Sequence, residues 1–166
     1  MRTTKGAAFS LAIQKPMAEP VLHAMVPLSP FVRAMNWLSY QNGLAYLMNA
    51  QSSFAGSETL GQLDLISRYQ YRSSPAVVAR GTLGMFNWDA TPVLPHVSAP
   101  VLILVGEQDT TTLPVASERM QQAMPKSQLQ RVSPSAHYGL LEQNNTYDAA
   151  LAQFASKCTG EPDNSK

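Results

Sequence analysis

The sequence predicts an α/β fold in which a layer of short helices precedes two parallel strands alternating with two helices, a sheet too small to be complete. Three observations carry this prediction. Up to about Asp89, apolar residues recur at helical spacing behind Ser, Pro and Asn-Gly punctuation. Val101 to Val105 is then an unbroken β-branched and leucine run of strand length. After it, helix, strand and helix patterns come in turn, the alternation of a parallel unit.

Taken in order, residues 1–16 are an N-terminal segment and 17–91 the helical layer. Ser29 and Pro30 form an N-cap and first-turn pair, and Phe31, Ala34, Met35 and Leu38 follow at i, i+3, i+4 and i+7. Asn42 and Gly43 close that helix. Ser57 opens a second helical segment with Leu60, Leu63 and Ile66 on one side, and Ser74 with Pro75 opens a third running towards Trp88. His23, in an apolar helical stretch, reads as a core or interface histidine.

The connector "WDATPVLPHVSAP" leads into residues 92–158, where the strands lie. Thr112 is expected to cap a helix beginning at Pro114, with Val115, Met120 and Ala123 on one face and Pro125 as its stop. "SQLQRVS" is a second, weaker strand. Asn145 is expected to cap a last helix whose Tyr147, Leu151, Phe154 and Cys158 share a face, and 159–166 reads as a disordered tail. Two strands cannot protect both faces and both edges of a parallel sheet, so further strands are expected from elsewhere, with pairing to another chain one way to supply them.

Composition narrows the function. Charged residues make up 14% of the 166, well below the usual quarter, and the net charge is +1 without basic runs. There is thus no electrostatic footprint for nucleic acid, and no apolar stretch approaches the roughly 20 residues of a membrane-spanning helix. The single cysteine, Cys158, fits a reducing, cytoplasmic setting. Arg2 and Lys5 ahead of "GAAFSLAI" imitate a secretory signal, but the apolar stretch is short and lacks a convincing cleavage site. No cluster of His, Cys, Asp or Glu has metal-ligand spacing, so neither metal nor organic cofactor is implied.

Ligand sites in open parallel sheets lie beyond the carboxyl ends of the strands. Asp109 follows the first strand and His137 the second. At those positions a carboxylate can hold one imidazole nitrogen and leave the other free as a general base, two thirds of a catalytic triad. Glu107 is a minor candidate for the acid, and His96, ahead of the strand, falls at the opposite end of the sheet. Trp37, Tyr40, Phe86 and Trp88 are candidates for lining an apolar substrate pocket, although such aromatic stripes more often serve packing.

"PVLILVGEQD" and "AHYGLLEQ", at this spacing and with a helix between, resemble the C-terminal part of the α/β-hydrolase family over roughly Pro92 to Ala155. The helical layer corresponds by position and character to the cap that this family inserts ahead of the penultimate core strand. The resemblance implies a hydrolase of an ester or similar small, largely apolar substrate. Asp109 would be its triad acid, His137 its base, and 1–16 a segment following a missing sheet strand. The family's nucleophile sits earlier, on a turn of the G-x-S-x-G kind, and none occurs here. Ser57 in "FAGSETLG" has the wrong spacing and no preceding strand. The nucleophile, serine or aspartate, and the oxyanion donors would all precede Met1. The isolated chain is therefore expected to be inactive, either as part of a longer enzyme or as a remnant or binding module that pairs with another chain.

Overall fold

A computed structural model describes residues 16–160. Residues 1–15 and 161–166, with the signal-like stretch and the expected disordered tail beyond Gly160, lie outside the described residues. The elements are helix α1 over 16–25, α2 (Ser29–Gln41), α3 (Leu44–Ser53), α4 (Leu60–Arg72), α5 (Pro75–Phe86), a 3₁₀ turn (Leu94–His96), β1 (Val101–Gly106), α6 (Pro114–Ala123), β2 (Ser127–Val132), α7 (Gly139–Glu142) and α8 (Asn144–Thr159).

The chain forms two compact units. One comprises the described residues through Asn49 together with Thr59–Asp89, and is helical. In it α2 packs against α4 and α5. Leu63 and Ala79 are buried, and Asn49 of α3 donates from Nδ2 to Ser67 Oγ at 3.0 Å and to Gln70 Oε1 at 3.0 Å. A second polar knot ties α2 and α3 to α4: the hydroxyls of Tyr40 and Tyr46 donate to Asp64 Oδ1 at 2.7 and 2.6 Å, while Arg68 donates to Oδ2. These bonds hold Asp64 below the usual carboxylate range, through Tyr40 first and then Tyr46, and hold the Tyr46 phenol well above its ordinary pKa.

Several expectations for this unit need correction. Ser57 does not open α4: Thr59 does, its Oγ1 accepting from Gln62 N while Gln62 Oε1 accepts from Thr59 N, a complete capping box. Leu60 lies ahead of the buried face of α4 and is exposed, unlike Leu63. Asn42 and Gly43 do end α2, with Gly43 at φ +81°, but α3 begins at once on the far side. The α2 stripe of Phe31, Met35 and Leu38 is exposed, Phe31 by 65%, because α4 and α5 cover other faces of that helix. His23 is likewise exposed.

The other unit comprises Ala50–Glu58 and the described residues from Ala90 onward. Here β1 and β2 pair in parallel, Val101 opposite Ser127 through Gly106 opposite Val132, as the strand patterns predict. Ile103, Val105 and Val132 are buried, with Met124, Ala136, Tyr147, Ala150 and Phe54 completing the core. Leu102 and Leu104 are only half-buried, so the apolar run is covered more fully on one face than the other. α6 packs on both strands and α8 on β1. Among the described residues the sheet has these two strands and no more, leaving each with one unpaired edge.

Cap expectations in this unit also change. Thr112 does not cap α6, which starts at Pro114 behind Leu113, because its hydroxyl is committed to Asp109. Nor does Asn145 cap α8: the helix already starts at Asn144, and no side chain caps it. Its buried face carries Tyr147 and Ala150, whereas Leu151 and Cys158 are exposed.

Candidate active site

The carboxyl ends of β1 and β2 are stitched together. Glu107 N donates to Val132 O at 3.0 Å, and Gln108 N donates to Ser135 O at 2.9 Å. Close approach of the two loops depends on Gly106. A Cβ built there would stand 2.6 Å from the carbonyl oxygens of both Ser135 and Ala136, so any side chain would push the second loop off the strand. Gly139 is tied down likewise, its would-be Cβ falling on Ser135 Oγ and the Tyr147 hydroxyl.

This stitching brings Asp109 to His137. Nδ1 of the imidazole stands 3.1 Å from Asp109 Oδ2. The carboxylate is 7% exposed and the imidazole 32%, so the carboxylate is enclosed while the ring keeps a face open to solvent. Asp109 is also a hub. Oδ1 accepts from the amides of Thr111 and Thr112, each at 2.8 Å, and Oδ2 accepts from Thr112 Oγ1 at 2.5 Å. Burial alone would raise its pKa. The Thr112 hydroxyl and amide, His137 and the Thr111 amide outweigh that, and Asp109 lies below the usual carboxylate range. An ionised acceptor on Nδ1 selects the tautomer protonated there, leaving the Nε2 lone pair to take a proton.

Glu107 is exposed and two residues nearer the strand, and Asp109, not Glu107, contacts the imidazole. His96, in the 3₁₀ turn ahead of β1, is exposed. The four aromatic candidates lie in the helical unit. Trp37 lines an open groove of about 410 Å³ with Pro30, Arg33, Ala34 and Tyr71. Tyr40 stacks on Tyr71 with ring centroids 4.6 Å apart, its hydroxyl engaged by Asp64. Phe86 is half-buried at the end of α5, and Trp88 is exposed just beyond it. Among the described residues, no group of three or more His, Cys, Asp or Glu is arranged to hold a metal ion, and no helix is long and apolar enough to cross a membrane.

Two contributors escape the sequence patterns. Thr112 reads there as a helix cap, yet its hydroxyl lies 2.5 Å from Asp109 Oδ2 and 3.5 Å from His137 Nδ1. Glu142 reads only as part of a motif, yet it binds the backbone beside His137 and reaches back to Ala55 and Ser57.

No protein-family model and no curated protein matches the chain. Solved structures do. A thermophilic esterase from Thermogutta terrifontis superposes with a TM-score of 0.66 at 23% identity, over 86% of this chain and 51% of that one. An enol-lactonase from Burkholderia xenovorans LB400 gives 0.58 at 16% identity, over 76% and 51%. A membrane phospholipase A described as a bacterial virulence factor gives 0.59 at 15% identity, over 70% and 38%. The chain thus spans about half the length of these structures or less, and the likeness is one of fold.

Proposed function

The chain carries the C-terminal portion of an α/β-hydrolase fold, and on that premise we propose that Asp109 and His137 are the acid and base of a nucleophile-His-Asp triad in a hydrolase of an ester or similar small substrate. The observation that carries this reading is the 3.1 Å pair itself: a buried, multiply hydrogen-bonded carboxylate on Nδ1 of a partly open imidazole, both at the carboxyl ends of adjacent parallel strands. Asp109 holds the tautomer and stabilises the imidazolium. His137 Nε2 takes the proton of a serine hydroxyl as its oxygen attacks the carbonyl carbon, then returns it to the departing alkoxide, and water repeats the cycle on the acyl intermediate. With an aspartate nucleophile, His137 instead activates the water that hydrolyses an alkyl ester of that aspartate.

These 166 residues contain no G-x-S-x-G turn, so the nucleophile and oxyanion donors are supplied from outside them. The substrate is a small, largely apolar ester or relative. The helical layer is read as the cap, with Trp37, Tyr40, Phe86 and Trp88 as apolar lining, and the setting as cytoplasmic. A second reading, a binding module that pairs with another chain, is favoured by the unpaired edges of β1 and β2.

The test compares two proteins. The 166-residue chain alone is expected to turn over no aryl ester and to take no serine-directed phosphonate label. A longer form whose reading frame carries a strand, a G-x-S-x-G or G-x-D-x-x turn and a helix ahead of Met1 is expected to hydrolyse aryl esters if the turn carries serine. With aspartate the expected substrates are epoxides or haloalkanes. In the longer form with a serine nucleophile, Asp109→Asn should lower kcat by about 10⁴-fold. Hydrolysis by the short chain that a serine substitution within it abolishes, or full activity of the longer form after His137→Ala, contradicts the proposal.

A further inference from the structure

We infer that Glu142 is a positioning residue for His137, clamping the histidine loop to the Ser53–Ser57 segment so that the imidazole stays on Asp109. This rests on the triad reading above. His137 sits between two backbone amides, and both are held. Ala136 N donates to Glu142 Oε2 at 3.1 Å, and Tyr138 N donates to Ser53 O at 3.0 Å. The other oxygen of the same carboxylate, Oε1, accepts from Ala55 N at 2.5 Å and from Ser57 Oγ at 3.3 Å. One side chain therefore bridges the loop before His137 and a segment 87 residues away in sequence from Glu142. That segment also supplies the carbonyl that holds the loop after His137. The Tyr138 ring lies between, 5.3 Å by centroid from His137 on one side and 5.3 Å from the buried Phe54 on the other.

The arrangement needs two acceptor oxygens facing two N–H groups. Glutamine provides one. In Glu142→Gln the amide NH₂ must face either Ala136 N–H or Ala55 N–H, donor against donor, and one end of the clamp opens. Loop 136–138 is then free to move relative to Asp109, and the Nδ1 hydrogen bond loses its fixed geometry. The Glu142 carboxylate bonds to Ala136 N, Ala55 N and Ser57 Oγ rather than to Asp109 or the His137 ring, so its effect runs through the backbone.

The experiment is ¹⁵N NMR of the His137 ring in the 166-residue chain, reading tautomer populations and the Nδ1–H proton signal. The wild type is expected to show the Nδ1–H tautomer, and Glu142→Gln a mixture with that proton signal broadened or lost. Asn49→Ala, which removes a buried hydrogen-bonding group from the helical unit, serves as a control for destabilisation and is expected to leave the His137 signals unchanged. Wild-type tautomers preserved in Glu142→Gln overturn the proposal alone. A wild type lacking the Nδ1–H tautomer overturns the triad reading as well. Hydrogen exchange on the wild type supplies a test independent of the variant's folding: the Ala55 and Ala136 amides should both be protected, and rapid exchange at either overturns the clamp.

Discussion

Gly106→Ala isolates the contact that brings the two loops together. The added methyl would lie 2.6 Å from two backbone carbonyl oxygens, whereas ordinary contact begins at about 3.4 Å, so loop 135–137 must retreat by about 0.8 Å. Neither obstructing group is the end of a flexible side chain that could swing aside. Overpacking of this kind costs about 1–3 kcal/mol. For a chain of this size that lowers Tm by about 2–4 °C per kcal/mol, or roughly 2–12 °C. If the retreat lies along the His137–Asp109 line, Nδ1···Oδ2 lengthens from 3.1 Å to about 3.9 Å, outside hydrogen-bond range. In an active form, displacement near 1 Å lowers turnover by about 10²-fold. Thermal unfolding followed by circular dichroism measures the first effect. Gly81→Ala, inside α5 with nothing within 4 Å of the new methyl, should stabilise by about 0.5–1 kcal/mol. If Gly106→Ala is as stable as the wild type, the close backbone approach at the strand end is wrong.

Asp109 titrates below its unfolded value near 3.9, so it contributes stability that is complete above about pH 5 and is lost as pH falls through its folded pKa. Urea titrations at about pH 6 and pH 3 should show the gap between wild type and Asp109→Asn narrowing at the lower pH; a gap independent of pH contradicts the assignment. Tyr46, with its pKa raised mainly by the hydrogen bond to Asp64, favours the folded state in its protonated form up to high pH. An alkaline absorbance titration of Tyr46→Phe should lack a late-ionising phenol that the wild type shows, and identical curves would contradict the knot on Asp64. Thr59→Ala, which removes the acceptor for Gln62 N at the start of α4, should cost about 1 kcal/mol in denaturant unfolding. No loss there would mean that the capping box is not formed in solution.

The features legible in the sequence obey local rules. Val101–Val105 reads as a strand because a continuous β-branched and leucine run has few other solutions, and Asp109 and His137 read as neighbours because parallel strands deliver their trailing loops to one end of the sheet. Hydroxyls misled where a partner other than the following helix claimed them: Thr112 serves Asp109, three residues back, and Ser57 donates to Glu142 85 residues away. No spacing rule reports the second pair. α7 escaped notice as a four-residue helix seated by Gly139 against Ser135 and Tyr147, a packing constraint rather than a propensity. The apolar period of α2 is present, but periodicity says which residues share a face and not whether this chain covers it.

Whether Asp109 holds His137 as a base with Nε2 free is read from ¹⁵N shifts of the His137 ring at a pH where the imidazole is neutral. A protonated Nδ1 and a bare Nε2 are expected, with that preference abolished in Asp109→Asn. A ring protonated on Nε2, or one indifferent to that substitution, would contradict that role for Asp109.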